Sequence, residues 1–249
     1  MKTHVAPSPT FSVQRSGERF TADHGWLRAK HSFSFADYYD PNNVSWGALR
    51  VFNEDRIAAG EGFPPHPHRD MEIVTYVFSG GLEHKDSMGN CGVVAAGGVQ
   101  FMSAGTGVRH SEFNASKTEE LHLCQMWILP GKLGAKPSYG QEDFTLEDRR
   151  NRWLVVASGQ AGVEAPIALT QTATLRVSKM EDSTSRHVFE PKRFGFLFVA
   201  DGEIEAASES GERVSLGAGD ALRTFDIPKI ELRGSGEIVF WDVPPAADL

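Results

Sequence analysis

Short apolar runs separated by turn-forming residues recur along the chain, and few segments show the apolar periodicity of a long amphipathic helix. Clusters of Gly, Asn, Asp and Pro separate the runs, which is the pattern of an all-β barrel or sandwich. Residues 121–129 carry apolar side chains at both odd and even positions, which predicts a strand buried on both faces. A short helix is expected over residues 145–151. The predicted strands cover residues 72–78, 121–129, 152–157, 174–178, 194–200 and 237–241.

The two halves of the chain resemble each other. A shift of about 121 residues lays residues 93–99 on residues 214–220, and each segment reads as a strand followed by a glycine-containing turn. Residues 130–141 are polar and contain Pro and Gly, so they predict the link between the halves. We therefore expect an N-terminal domain over residues 1–135 and a C-terminal domain over residues 136–249.

Two pairs of residues carry the candidate chemistry. His66 and His68 are two positions apart in the chain, and so are His110 and Glu112. On a β-strand this spacing points both side chains out of the same face, so two short strands can aim three imidazoles and one carboxylate at one point. Three nitrogens and one oxygen suit iron, manganese, cobalt, nickel, copper or zinc better than magnesium or calcium. The sequence predicts one divalent transition metal whose remaining positions are open to water, substrate or O2.

The second half does not repeat this metal site. At the shift of about 121 residues, His66 falls on His187, but the next ligand position holds Phe189. The second pair of ligands falls near Glu231 and Arg233. A phenylalanine offers no lone pair, and a guanidinium adds repulsion beside a cation. We expect one metal per chain, in the first domain, and an ordinary histidine at position 187.

Composition narrows the class of protein. The net charge is −8 and the pI is near 5.6, so no electrostatic footprint for nucleic acid is expected. No apolar run is long enough to span a bilayer, and residues 1–10 lack the layout of a secretory signal. Cys91 and Cys124 have no second cysteine at metal-ligand spacing, and both read as reduced thiols. We expect a cytoplasmic monomer that binds neither nucleic acid nor membrane.

The two ligand pairs lie in segments that resemble the two cupin motifs. The segment Gly62-x3-His66-x-His68-x3-Glu72, followed by Gly80, resembles the first cupin motif. The segment Gly98-x6-Gly105-x-Gly107-x2-His110-x3-Asn114 resembles the second. The departures from the motifs concern turn residues and leave the ligands in place. With the run 99–107 leading into His110-Ser111-Glu112, and with His31-Ser32-Phe33-Ser34-Phe35 upstream, the chain resembles the pirin family of bicupins.

The resemblance to pirins implies both a fold and a site. The implied fold is all-β, with two jelly-roll cupin barrels facing each other and the metal in the N-terminal one. In the family, the positions that match His66, His68, His110 and Glu112 ligate the metal, which is usually taken as iron. Fe(2+) is therefore the expected cofactor, and Mn, Co, Ni, Cu and Zn remain open.

The resemblance is greatest to bacterial pirin-like proteins described as quercetin 2,3-dioxygenases. It implies an oxidoreductase that uses O2 to open the heterocycle of flavonols such as quercetin, with Glu112 as both ligand and catalytic base. The alternative is a non-enzymatic metal- or redox-sensing protein that binds a regulatory partner, because a fold does not determine function. A metal-dependent isomerase or lyase would need the same ligands without O2.

Other residues near the motifs have open or ordinary roles. Glu72 is four residues beyond His68, so it is either an acceptor for a ligand imidazole or a carboxylate on a solvated face. His84 lies in a polar, turn-rich run and is expected at the surface, whereas His122 alternates with apolar residues and is expected in the core. Arg109 should point away from the face that carries His110. The aromatic residues near His31 are expected to pack under the barrel; they are Trp26, Phe33, Phe35, Tyr38 and Tyr39.

Overall fold

The computed structural model describes residues 10–246, and the regular secondary structure of these residues is almost entirely β-strand. The first half contains β1 (Thr10–Gln14), β2 (Phe20–Asp23), β3 (Leu27–His31), β4 (Leu49–Ile57), β5 (Gly62–His68), β6 (Glu72–Ser79), β7 (Gly81–Asp86), β8 (Cys91–Ala95), β9 (Val99–Ser103), β10 (Val108–Asn114), β11 (Leu121–Ile128) and β12 (Ser138–Glu142). The second half contains β13 (Leu154–Ser158), β14 (Ile167–Ala168), β15 (Thr174–Val188), β16 (Phe194–Ser208), β17 (Arg213–Gly217), β18 (Ala221–Phe225) and β19 (Lys229–Val243). A 3-10 turn covers Ser16–Glu18, and the helix α1 covers Leu146–Arg149.

The first barrel is built from two antiparallel sheets. A seven-stranded sheet has the order β12-β9-β6-β11-β4-β3-β2, and a four-stranded sheet has the order β5-β10-β7-β8. The central strand β11 is buried on both faces, as predicted. Its odd-numbered residues face the barrel interior, whereas Cys124, Met126 and Ile128 belong to the core shared with the second barrel.

The second barrel repeats the strand order of the first. Gly81, the first residue of β7, lies 121 residues before Gly202 in the distal part of β16, and β8 and β9 are matched at nearly the same spacing by β17 and β18. In both barrels the distal strand pairs with the following short strand. The internal repeat of the sequence is therefore a repeat of the fold.

The long strands of the second barrel differ from the sequence prediction. Strands β15, β16 and β19 each run for 15 residues, whereas the predicted segments ended after five to seven residues. Their pairing continues through register shifts, between Met180 and Ser183 in β15 and between Val199 and Asp201 in β16. Gly234 and Gly236 adopt positive φ within β19. The polar and glycine residues that predicted strand ends lie at β-bulges, which bend a strand without ending it.

Two strands pair with the sheet of the other half of the chain. β1 pairs with β18, so the first described strand forms an edge of the second barrel. β12 begins after residue 135 but pairs with β9 of the first barrel. The division into domains at residues 1–135 and 136–249 stays a prediction. Across this division, β1 pairs with the sheet of the second barrel and β12 pairs with the sheet of the first.

The two barrels share one hydrophobic core where their large sheets face each other. Phe52 of the first barrel contacts Phe196 and Phe198 of the second, with ring centroids 4.8 and 4.9 Å apart. Buried polar groups cross the same interface, since the Tyr76 hydroxyl donates to Glu237 Oε1 at 2.5 Å. The large sheets thus pack together, which leaves the small β5-β10-β7-β8 sheet on the far side of the first barrel.

The helix α1 is the one expected from residues 145–151. Thr145 caps its first turn, because Thr145 Oγ1 accepts from the Asp148 backbone N–H while the Asp148 carboxylate accepts from the Thr145 N–H at 2.7 Å. Neither α1 nor any other helix of residues 10–246 has the length and apolar character that crossing a membrane requires.

Candidate metal centre

The candidate ligands come from two paired strands of the small sheet. β5 carries His66 and His68, and β10 carries His110 and Glu112. The antiparallel register places His110 directly opposite His66. A register shift follows between His110 and Glu112, where Pro64 and Pro65 supply an extra residue on β5. Proline has no N–H for the ladder and is tolerated at such a bulge.

The three imidazoles converge on one point. Ligand atoms of His66, His68 and His110 all lie within 4.8 Å of one another. The Nε2 atoms of His66 and His110 are 3.0 Å apart. His66 Nδ1 lies 2.8 Å from the carbonyl oxygen of Pro64, which can only accept a hydrogen bond. His66 therefore carries its hydrogen on Nδ1 and presents the Nε2 lone pair to the common point.

Glu112 is held in the barrel with one oxygen free. Its side chain is 2% exposed, and Glu112 Oε2 accepts from Gln125 Nε2 at 2.8 Å. Glu112 Oε1 is buried without a partner among the described residues. Burial raises the pKa of Glu112 to about 7, and the hydrogen bond from Gln125 opposes the rise. A second group of candidate ligand atoms within 4.8 Å of one another contains Glu112, His110 and His84.

The electrostatics of the site keep the imidazoles of His68 and His110 neutral. Burial, followed by the neighbouring His66, lowers the pKa of His68 to about 4. Burial together with the nearby histidines lowers the pKa of His110 to about 2. Neutral imidazoles hold the lone pairs that a metal ion needs, so metal binding at neutral pH need not displace protons from these two rings.

The geometry fits a divalent transition metal. Two nitrogens that bind one ion at about 2.1 Å and at right angles are about 3.0 Å apart, which matches the separation between His66 and His110. The partnerless Oε1 of Glu112 is a buried oxygen that an ion would satisfy. Three imidazoles with one carboxylate are the donor set of iron, nickel or zinc rather than of magnesium or calcium.

His84 is not at the surface, so that prediction is wrong. Its side chain is fully buried, and its ring centroid lies 5.3 Å from that of His110. It stacks on Tyr139 with the ring centroids 4.5 Å apart, and its Nε2 lies 3.3 Å from Asp86 Oδ2. No spacing in the sequence predicts that His84 lies at the site. It reaches the site because β7 pairs with β10, which places His84 opposite Glu112.

Neither interpretation of Glu72 is correct. Its carboxylate is fully buried and accepts from the backbone N–H groups of Thr170 at 2.7 Å and Gln171 at 3.1 Å. Glu72 therefore joins the two barrels and contacts neither solvent nor an imidazole. His68 and Glu72 do not share a face because the turn between β5 and β6, with Asp70 at a φ of 46°, interrupts the alternation of side chains along the chain.

Two other expectations are confirmed. His122 is 8% exposed and lies 3.0 Å from Glu54 Oε1, so it is a buried, hydrogen-bonded histidine. Arg109 is exposed while its neighbour His110 is buried, and Arg109 Nη2 donates to the Pro65 carbonyl at 2.8 Å. Both residues lie on faces of their strands that point away from the candidate ligands.

An aromatic cavity of about 200 Å³ opens beside the ligands and is lined by His66, His68 and Glu112. Its walls include Phe35, Phe63 and Trp127. Trp127 packs edge-on against His68, with the ring centroids 4.9 Å apart. His31 and Phe35 were expected only to pack under the barrel, but both line this cavity. They reach it because β3 lies beside β4 in the large sheet.

The second barrel holds an ion pair in place of a metal shell. His187 is 8% exposed, and its Nε2 lies 2.8 Å from Asp242 Oδ2. Arg193 donates to the other oxygen of Asp242 at 2.6 Å, and Phe189 packs edge-on against His187. Among residues 10–246, the clusters able to hold a metal ion are both in the first barrel. His187 is a hydrogen-bonded histidine of the second barrel, as predicted.

Comparison with known proteins identifies the family of this chain and agrees with its fold. The family model described as Pirin matches residues 12–128, and the model described as Quercetinase C-terminal cupin domain matches residues 155–240. A pirin-like protein of Caulobacter vibrioides is 42% identical over 222 residues, which cover 89% of this chain and 94% of that protein. The chain belongs to the pirin family. Its resemblance in motif spacing is therefore a true relationship, and its two barrels are the bicupin fold.

Individual pirins extend the comparison to function and structure. A protein of Escherichia coli strain K12 named quercetin 2,3-dioxygenase is 41% identical over 237 residues, or 94% of this chain and 98% of that protein. The crystal structure of the bacterial pirin YhhW from Escherichia coli in complex with nickel(II) matches with a TM-score of 0.86 and 40% identity. That match covers 95% of this chain and all of that one.

Proposed function

We propose that this pirin is a metal-dependent dioxygenase that opens the heterocycle of flavonols such as quercetin. The observation that carries the proposal is the convergence of the imidazoles of His66, His68 and His110 beside an aromatic-lined cavity. His110 also belongs to a second cluster, which contains the buried carboxylate of Glu112, and Glu112 Oε1 has no partner among the described residues. Relatives named quercetin 2,3-dioxygenase at about 40% identity support it. A flavonol is flat and aromatic, and it offers a 3-hydroxyl and a 4-carbonyl side by side at one edge.

We propose His66, His68, His110 and Glu112 as the ligands of one divalent ion, with iron first among the candidates. The structure of YhhW in complex with nickel(II) supports the binding of a divalent metal by this protein. When bound, the metal would supply a Lewis acid and a template for the reaction of the flavonol with O2. The His84 ring packs beside His110 with the ring centroids 5.3 Å apart, and no hydrogen bond joins the two among the described residues.

Glu112 is the proposed base. Its Oε2 is held by Gln125, so the proposed metal-ligating oxygen is Oε1, which takes the proton of the 3-hydroxyl group when it swings off the ion. Trp127 Nε1 donates to Gln125 Oε1 at 3.1 Å, which fixes the amide so that its nitrogen points at Glu112. A base with a pKa near neutrality is suited to proton transfer at neutral pH.

The aromatic walls hold the substrate and limit water. Phe35 packs edge-on against Trp127, with the ring centroids 5.3 Å apart, and Phe63 packs in the same way against Trp26 at 5.1 Å. A flat ring between such walls is positioned for reaction and shielded from solvent. With the proton on Glu112, the electron-rich ring reacts with O2, and the heterocycle opens with loss of carbon monoxide.

Oxygen uptake after metal reconstitution tests the proposal. Metal-free protein is reconstituted without oxygen with Fe, Mn, Co, Ni, Cu or Zn, and quercetin and O2 are then added. The proposal expects quercetin-dependent oxygen uptake and release of carbon monoxide with at least one metal, and neither with metal-free protein or with His68→Ala. Absence of both with every loaded metal would contradict it and would favour the non-enzymatic, partner-binding alternative.

A further inference from the structure

The wall of the cavity opposite the candidate ligands is polar. The histidine ligands lie on the small sheet, whereas His31 on β3 and Asn53 and Asp55 on β4 line the cavity from the large sheet. His31 and Asn53 are paired residues in adjacent strands, and Asp55 follows on the same face of β4. These three side chains are only 4%, 3% and 4% exposed. We refer to them as the polar wall.

Among residues 10–246, the Asp55 side chain has no hydrogen-bond or ion-pair partner. Its Oδ1 is buried without a hydrogen bond, and no ion pair or side-chain hydrogen bond joins Asp55 to another residue in the described part of the chain. The contrast with Glu54, the preceding residue, is direct, since Glu54 is paired with both Arg19 and His122 on the other face of β4. A buried carboxylate without a partner destabilises a fold, so a reason for its presence is to be sought in what enters the cavity.

The other two residues of the polar wall are oriented toward each other. His31 Nδ1 and Asn53 Oδ1 are 2.8 Å apart, and because the amide oxygen only accepts, the imidazole hydrogen lies on Nδ1. His31 Nε2 is then an acceptor, and the Asn53 amide nitrogen keeps two hydrogens to donate. The polar wall thus offers a carboxylate, an imidazole lone pair and an amide donor, which is the set that hydroxyl groups bind.

The space between the two walls fits an aromatic molecule of more than one ring. The cavity beside the ligands is bounded by Phe35, Phe63 and Trp127. A second cavity of about 310 Å³ adjoins it and shares His31, Phe35 and Phe63 among its lining residues. A ligand held at the metal by one edge therefore has room for a further ring beside His31, while its polar substituents within the first cavity meet Asn53 and Asp55.

We propose that Asp55, supported by Asn53 and His31, is a substrate-positioning residue that accepts a hydrogen bond from a ring hydroxyl remote from the metal-binding edge. This inference rests on the proposed function and narrows its substrate class to polyhydroxylated aromatic compounds. A molecule with the metal-binding edge but without the remote hydroxyl leaves Asp55 buried and unpaired. Sites that bury a polar group for a substrate hydroxyl reject analogues that lack it far more strongly than apolar pockets reject an extra group.

Binding of two matched ligands to metal-free protein tests the inference, because no turnover occurs there. Quercetin carries ring hydroxyls, and 3-hydroxyflavone keeps the 3-hydroxyl and 4-carbonyl without them. Calorimetry should show that wild type prefers quercetin. Asp55→Leu, which removes the acceptor at similar size, should reduce this preference by about tenfold or more. Asp55→Asn keeps one acceptor oxygen and should retain part of it.

Stability and a matched control separate binding from folding. Replacing an unpartnered buried carboxylate should leave the melting temperature of Asp55→Leu unchanged or raised. Asp220→Asn, a buried aspartate of the second barrel that is paired with Arg15, should leave the ligand preference unchanged. An unchanged preference in Asp55→Leu, an equal loss in Asp220→Asn, or unfolding of both Asp55 variants would each overturn the inference.

The outcome is distinguishable from that of the proposed function. If the preference for quercetin depends on Asp55 but no metal supports oxygen uptake, the polar wall stands and the dioxygenase proposal fails. If quercetin is turned over and Asp55→Leu keeps the wild-type ratio of kcat/KM between the two flavonols, the dioxygenase proposal stands and the polar wall is overturned.

Discussion

At the scale of single residues, environment decides what a histidine does. His66, His68 and His110 point at one another across a strand pair, and two of them have a pKa lowered by burial. His187 occupies the matching position in the second barrel but is paired with Asp242 beside Arg193. The same residue type is a candidate metal ligand in one barrel and a buried hydrogen-bond partner of an aspartate in the other.

Substitution of these histidines should therefore have opposite effects on metal content. His68→Ala should lower metal occupancy sharply, because one of four proposed ligands is lost. His187→Ala should keep one metal per chain and near wild-type turnover, with a modest loss of stability because Asp242 retains Arg193. Elemental analysis of the purified variants measures occupancy. Full occupancy in both His68→Ala and His110→Ala, or metal loss on replacing His187, would contradict the assignment.

The carboxylate of Glu112 should be separable from the metal. Glu112→Gln keeps the size of the side chain and one oxygen donor, but it cannot take a proton at neutral pH. We expect much of the metal to remain while turnover of quercetin per bound metal falls by about 100-fold or more, the range for loss of a general base. Oxygen uptake normalised to metal content provides the measurement. Wild-type turnover per bound metal would remove Glu112 from the role of base.

At the scale of elements, one strand serves two environments because its side chains alternate. Asn53 and Asp55 of β4 face the cavity, and Glu54 faces the opposite side. There the Glu54 carboxylate accepts from Arg19 Nη1 at 2.8 Å and lies 3.0 Å from His122 Nε2. Burial alone would raise the pKa of Glu54, but His122 and Arg19 outweigh it and lower the pKa to about 2.

Stability should depend on Glu54 in a defined range of pH. Because its folded pKa is below its unfolded value of 4.5, ionised Glu54 stabilises the fold above about pH 4.5, and this contribution is lost as the pH falls toward 2. The difference in unfolding free energy between wild type and Glu54→Gln should shrink by about 3 kcal/mol over that range. Urea unfolding at a series of pH values measures it. The exposed pair partner Glu205 provides the control, since Glu205→Gln should show almost no such change.

At the scale of the whole molecule, the two barrels are joined by more than a linker. Phe52, Phe196 and Phe198 meet in the shared core, and the exchanged strands β1 and β12 cross from each half to the other. Glu72 binds two backbone N–H groups of the second barrel from within the first. The barrel that carries the candidate site is therefore supported on one side by the barrel that carries none.

Unfolding should accordingly be a single cooperative event. Phe52→Ala opens a cavity in the shared core and should cost about 3–5 kcal/mol. Calorimetry should show one transition at a lower temperature for the variant, with both barrels unfolding together. Exposed Phe20→Ala is a matched control and should shift the transition much less. Two separated transitions in wild type or in Phe52→Ala would show that the barrels fold independently.

Local features of the chain were sufficient to predict the all-β class, the duplication and the candidate ligands. Alternation within one strand is a property of neighbouring residues, so His66 with His68 and His110 with Glu112 could be paired from spacing alone. The same reasoning predicted that the second half lacks a metal shell, because Phe189 has no donor atom. The C-terminal strands were predicted too short, since β-bulges and turns use the same polar and glycine residues.

Only the tertiary structure decided which residues face the ligands from other strands. Glu112 and His84 are neighbours because of the register between β10 and β7. Asp55 and His31 face the same cavity because their strands are adjacent in the large sheet. Glu72 contacts Thr170 because the two barrels pack together. None of these contacts follows from sequence spacing, because a turn resets the alternation and strand order is independent of it. The spacing within strands was sufficient to indicate the candidate ligands, and the pairing between strands determined the cavity beside them.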